Sequence, residues 1–314
     1  MAAVALLLSG GYLLIERLTT VLVVLITVAT VACVVALQWT TKFSISLSDL
    51  ASGLSFRFPP DPSDRAAAIT KAFSVFGITG VGAAELYSYP YWCLEKGYAR
   101  FVGPRSNDAA WARRAAGWMR VMHLDAWVSM VVFTLATVSF YLLGATVLHR
   151  LDLHPKGSNM IAQLANMYVE VFGQWTWYFF LIGSWAVLFK TLYVASAGHS
   201  RLTSDFFSMA RFVRFENSHA RLRMIRSLCI FYPMLALAFY LMVGEPREMV
   251  TFGGFAQGIT LPIITGAALY LRYRETDRRI APSRLTDVMF WLAFILVTVF
   301  AVWEVWNQFM KWIG

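Results

Sequence analysis

Seven long apolar stretches dominate this chain, at about 15–38, 68–98, 121–148, 174–197, 225–243, 249–272 and 285–308. A hydrocarbon layer about 30 Å thick takes about 20 apolar residues to cross as a helix. Lipid offers the backbone no hydrogen-bond partners, so stretches of this length must satisfy their own amides and carbonyls as helices. The chain therefore reads as an all-α integral membrane protein of about seven transmembrane helices, with 1–314 as a single transmembrane domain. Composition agrees. Residues are 58% hydrophobic and only 14% charged, where a soluble domain carries about 25% charged residues.

The net charge of +9 has a topological source. Lys96, Arg100, Arg105, Arg113, Arg114 and Arg120 lie between the second and third spans. Arg201, Arg211, Arg214, Arg221, Arg223 and Arg226 lie between the fourth and fifth, and Arg272, Arg274, Arg278, Arg279 and Arg284 between the sixth and seventh. The alternate connections are poor in Lys and Arg. This is the positive-inside pattern, which places the first span's start inside and the C-terminus outside. The basic balance calls for the lipid bilayer as partner and no nucleic acid. Cys33, Cys93 and Cys229 sit singly in apolar segments and suit packing, not a disulfide framework. No nucleophile elbow, His-Glu-x-x-His or phosphate-binding loop occurs, so the chain is not read as an enzyme and no cofactor is expected. Phe58-Pro59-Pro60-Asp61-Pro62 marks a loop, a short amphipathic helix is expected from Ser158, and residues 2–8 read as the tail of a helix.

One stretch breaks the apolar pattern of the second span: GITGVGAAELYSYP, residues 77–90. Gly77, Gly80 and Gly82 each lower helix stability by about 1 kcal/mol relative to Ala. Their clustering predicts non-helical backbone near residues 79–84. Irregular backbone at membrane depth is tolerated where it is buried in protein or lines a cavity. There its carbonyls and the two half-helix ends can hold an ion. Glu85, just past the break, would add a carboxylate suited to a hard divalent cation. The alternative is that these small residues let helices pack closely. A second break-like stretch, GGFAQGITLPIITGA at 253–267, carries Gln257, readable as a neutral cation ligand or as an interhelical hydrogen bond.

Other polar residues have plainer readings. Lys190 is expected to snorkel or to pair with an acid of a neighbouring helix. His149, Asp152 and His154 read as a solvated loop. His123 and Asp125 read as an interfacial pair, with a proton path as the alternative. Glu304 is placed among the headgroups.

The segments GGYLLIERLTTVLVVLITVATV, FGITGVGAAELYSYPYWCLEKG and FGGFAQGITLPIITGAALYLRYR resemble the Nramp family of divalent-metal transporters, and more distantly its Mg²⁺-carrying relatives. The resemblance implies a LeuT-like fold in which this chain covers family helices five to eleven, 68–272 being the second five-helix repeat. It implies transport of Mn²⁺-, Fe²⁺- or Mg²⁺-like ions by alternating access, with proton coupling as a family habit. Against the family's sixth-helix motif, Ala-x-x-Met-Pro-His-x-x-Tyr-x-His, this sequence has Thr79, Gly82, Ala83, Ala84, Tyr87 and Tyr89. The Thr79 carbonyl stands where the family's alanine carbonyl ligates metal. Gly82 replaces the methionine thioether, both histidines are replaced, and Gln257 aligns with the tenth-helix glutamine. The implied ion path is thus Thr79, Gly82, Glu85 and Gln257, without soft sulfur. The family's first-helix Asp-Pro-Gly-Asn does not occur, so the first repeat is expected from upstream sequence or a partner chain. A non-transporting scaffold or assembly subunit on the same fold is the other reading. A bacterial inner membrane is expected from the lack of eukaryotic targeting features.

Overall fold

The computed structural model describes residues 13–55, 61–79 and 82–313. Within them the chain is helical, without strands. The α-helices run, in order, α1 Leu13–Leu37, α2 Leu47–Leu54, α3 Pro62–Ile78, α4 Ala83–Glu95, α5 Tyr98–Val102, α6 Ala109–Leu143, α7 Met160–Phe172, α8 Trp175–Met209, α9 Ser218–Val243, α10 Pro246–Arg274 and α11 Arg284–Ile313. Among the described residues, seven stretches are long and apolar enough to cross a membrane: Arg17–Leu37, Asp64–Glu95, Ala109–Leu148, Trp175–Met209, Ser218–Val243, Pro246–Arg274 and Arg284–Met310. The expected helix tail at 2–8 lies outside the described residues.

Several helices start earlier or end later than the apolar runs. The third span begins at Ala109, not near 121, so Arg113, Arg114 and Arg120 ride on its first turns. Alanine-rich sequence favours helix there, and the Asp108 carboxylate accepts the Trp111 N–H as a cap. The fifth span starts at Ser218, where the Asn217 side chain accepts from Ala220 N–H at 2.9 Å. The polar stretch after α1 is not all loop. Ser46 and Asp49 form a reciprocal capping box that starts α2. The helix expected from Ser158 begins at Met160 after one 3₁₀ turn.

The sixth span corrects the expectation of a second break. α10 runs unbroken through Gly253, Gly254, Gly258 and Pro262. Two of these glycines are there for close packing. A Cβ on Gly254 would collide with the Ser74 carbonyl, and one on Gly258 would come within 2.8 Å of the Phe73 ring. Reciprocally, a Cβ on Gly77 of α3 would collide with the Gly254 carbonyl. Small residues on both helices thus let the two backbones touch, the usual membrane solution.

The chain clusters into two compact units, Met1–Arg57 with Thr134–Met249 and Phe58–Phe133 with Val250–Gly314. In the first, α7 packs on α1 and α8. Its core joins Ile26, Cys33 and Leu37 of α1, Ala165, Met167 and Tyr168 of α7 and Phe180 of α8. The Thr30 hydroxyl and the Tyr168 phenol share a buried 2.6 Å hydrogen bond. Lys190 donates to the Thr20 hydroxyl at 2.7 Å, a neutral partner in place of the expected acid. His154 and Asp152 form an exposed pair at 3.2 Å, as a solvated loop should.

The second unit holds the break, the α3–α10 crossing and a clasp between two loops. Arg279 lies over the Trp111 ring at 4.9 Å and donates to the Ser106 and Asp108 carbonyls at 2.9 and 3.3 Å. Asp277 accepts from Arg279 and from Arg105, at 2.9 and 3.1 Å. The Arg279 hydrogen bonds hold the Asp277 carboxyl well below the usual carboxylate range. Arg272 of α10 grips Asp287 of α11 with two 2.8 Å hydrogen bonds.

Candidate functional site

The second span contains two helices. α3 ends at Ile78, Thr79 is a bend, Gly82 is extended (φ −66°, ψ 160°), and α4 begins at Ala83. Thr79 closes α3. Its amide and its hydroxyl both donate to the Val75 carbonyl, at 2.8 and 2.6 Å. The first amides of a helix and its last carbonyls have no intrahelical partner. The negative end of α3 and the positive end of α4 therefore border the same short break.

Gly82 offers α4 no side-chain cap. Gln257 supplies one from another helix: its Oε1 accepts the Ala84 N–H at 3.2 Å. An amide oxygen has two lone pairs, so one remains for another donor or a cation. Glu85 sits in the first turn of α4, where a carboxylate is favoured by the helix dipole. The space that a Cβ on Gly82 would fill lies 2.5 Å from Glu85 Oε2 and 2.6 Å from Gln257 Oε1. Two oxygens from two helices therefore converge over one bare glycine. Gly82 and Ala83 are buried, Gln257 is half-buried and Glu85 is exposed.

Of the residues singled out from sequence, Gly82, Glu85 and Gln257 come together. Thr79 lies at the other lip of the break, its amide and hydroxyl turned back to Val75. Among the described residues no three His, Cys, Asp or Glu side chains converge. An ion here would meet one carboxylate and otherwise neutral oxygens.

Two features were not read from sequence. The Tyr89 phenol, one turn after Glu85 on α4, donates to Asp125 of α6 at 2.9 Å. Asp125 is thus bonded across helices. Glu304, expected among headgroups, is fully buried, with Oε1 accepting from Gln308 at 2.7 Å and Oε2 without a hydrogen-bond partner among the described residues. The spacing of Val297, Ala301, Glu304 and Gln308 carried the signal, since it puts Glu304 on the face that buries Val297 and Ala301.

A span broken beside a carboxylate and a capping amide is an arrangement that ion-handling membrane proteins use. The family model of the Nramp, natural resistance-associated macrophage protein-like, proteins matches residues 1–307. The chain belongs to the Nramp family, whose members are metal-ion transporters. They carry metal ions as substrates and are not enzymes. No curated protein and no solved structure matches the chain.

Proposed function

We propose that this protein moves a hard divalent cation across a membrane, with the ion held at the break between α3 and α4 by Glu85 Oε2, Gln257 Oε1 and the Thr79 carbonyl. The observation that carries the reading is the convergence of the Glu85 and Gln257 oxygens over Gly82. A side chain at position 82 would occupy that space. A bare glycine leaves it to oxygen, and oxygen ligands without sulfur favour Mg²⁺, Mn²⁺ and Ca²⁺ over softer metals. Six or more oxygens complete such a shell. The remainder comes from water and from a segment standing for the first repeat, in this protein or in a partner chain, with 68–272 forming the second repeat. The bacterial inner membrane is the proposed site of action.

Uptake into proteoliposomes tests the reading. The wild-type protein should take up Mn²⁺ and Mg²⁺, and Glu85→Gln should abolish uptake of both. Equal uptake by Glu85→Gln and wild type would remove Glu85 from the path. No uptake of Mg²⁺, Mn²⁺ or Ca²⁺ by wild type would favour a scaffold or assembly subunit.

A further inference from the structure

We infer that Asp125 of α6, bonded to Tyr89 one helical turn after Glu85 on α4, is a second cation station. The inference takes its direction of travel from the reading of Glu85 as an ion ligand. The station itself stands on separate observations.

Asp125 lies four residues inside the apolar run 121–148 of α6, about 6 Å along the helix from the start of that run. A carboxylate within a membrane-spanning helix is costly, and such residues face a cavity or a partner. Its bonded neighbour is Tyr89, whose hydroxyl donates to Oδ2 at 2.9 Å. A phenol is a neutral donor. It satisfies one lone pair and leaves the charge in place. Among the described residues no Lys or Arg forms an ion pair with Asp125. Among the described residues Oδ1 therefore has neither a hydrogen-bond donor nor an ion-pair partner, on a half-buried side chain.

Position gives this charge a use. Glu85 and Tyr89 are four residues apart on α4, so they stack on one face of that helix. The hydrogen bond brings Asp125 to the same face from α6. An ion released from Glu85 along α4 meets Asp125 next. The Tyr89 bond fixes the carboxylate's orientation, and the free oxygen and charge attract a divalent cation at short range. A single carboxylate beside one phenol binds less tightly than a closed cage, which suits a station an ion must leave.

The test counts Mn²⁺ bound to purified protein by electron paramagnetic resonance and measures Mn²⁺ uptake on the same variants. Wild type should bind two ions per chain, and Asp125→Asn should lose the weaker one and slow uptake several-fold. Tyr89→Phe should keep both ions, because it removes the phenol and spares the carboxylate. Asp125→Glu should keep both as well, and serves if Asp125→Asn does not fold. A helix–helix tie would respond differently, since either partner's loss breaks it equally. The proposal is overturned if wild type binds a single ion that Asp125→Asn retains, or if Tyr89→Phe and Asp125→Asn have the same effects. If Glu85→Gln still binds two ions while Asp125→Asn binds one, the station stands and the assignment of Glu85 falls.

Discussion

Adding one methyl group at Gly82 separates the site from the fold. In Gly82→Ala the new Cβ would lie 2.5 Å from Glu85 Oε2 and 2.6 Å from Gln257 Oε1. Ordinary van der Waals contact begins near 3.4 Å, so each oxygen must retreat by close to an ångström. Both are far ends of flexible side chains and can do so. The backbone at Gly82 is extended with negative φ, which alanine adopts freely. Folding stability should therefore fall by no more than the one hydrogen bond that Gln257 gives α4. The cost falls on the site. Moving Gln257 Oε1 breaks its 3.2 Å bond from Ala84 N–H, which bounds the loss of folding stability at about 0.5–1.5 kcal/mol, and withdraws that oxygen from the ion. Moving Glu85 forfeits the convergence of its oxygen with Gln257. Together we expect about 1.5–3 kcal/mol of lost ion affinity, roughly 10- to 100-fold in Kd. Isothermal titration with Mn²⁺ and a thermal melt of the same sample read the two quantities. Unchanged Kd, or a large drop in melting temperature with unchanged Kd, would refute the reasoning.

The helix crossing gives a paired prediction: Gly253→Ala, facing open space, should stabilise the protein by up to about 1 kcal/mol, whereas Gly254→Ala, one residue on, meets the Ser74 carbonyl and should cost about 1–3 kcal/mol. Equal effects on unfolding in detergent would contradict the close packing of α3 on α10. Glu304→Met removes Oε2, which has no partner among the described residues, together with the Gln308 bond to Oε1, so the two changes should offset and stability should change by no more than about 1 kcal/mol; a loss well above that would show that Oε2 has a partner of its own. For the loop clasp, Arg279 lowers the carboxyl pKa of Asp277 in the folded protein, so its contribution is present above the unfolded carboxylate pKa and is lost only as pH falls through the folded value. A spin label at exposed Asn107 should keep the same mobility from pH 7 to pH 5, and Asp277→Asn should loosen it at both; loosening of wild type in that interval would break the sign argument.

The spans were legible because their signal is bulk hydropathy, which no tertiary contact can overrule in lipid. The break expected near 79–84 was legible in part from clustered glycine beside an acid: Thr79 and Gly82 are not helical, whereas Ala83 and Ala84 already belong to α4 and Gly77 serves close packing against Gly254. The glycines of α10 misled because sequence shows that a residue lacks a side chain and not why. Gly254 and Gly258 are small for a neighbour's sake, and that neighbour, α3, is remote in sequence. Helix starts at Ala109 and Leu47 were missed where the hydrophobic signal stopped but capping continued, through Asp108 and the Ser46–Asp49 box. Glu304 was misjudged by depth along the chain, whereas its surroundings depend on the face it occupies. The convergence of Glu85 with Gln257 needed the fold, because the two residues come from different helices.

Anomalous diffraction from crystals grown with Mn²⁺ tests the central claim most directly, because it locates the ion without assuming transport. The account predicts a peak at the break, within about 2–2.6 Å of Glu85 Oε2 and Gln257 Oε1, that disappears in Glu85→Gln. A strong peak elsewhere in the spans, with none beside Gly82, would contradict it.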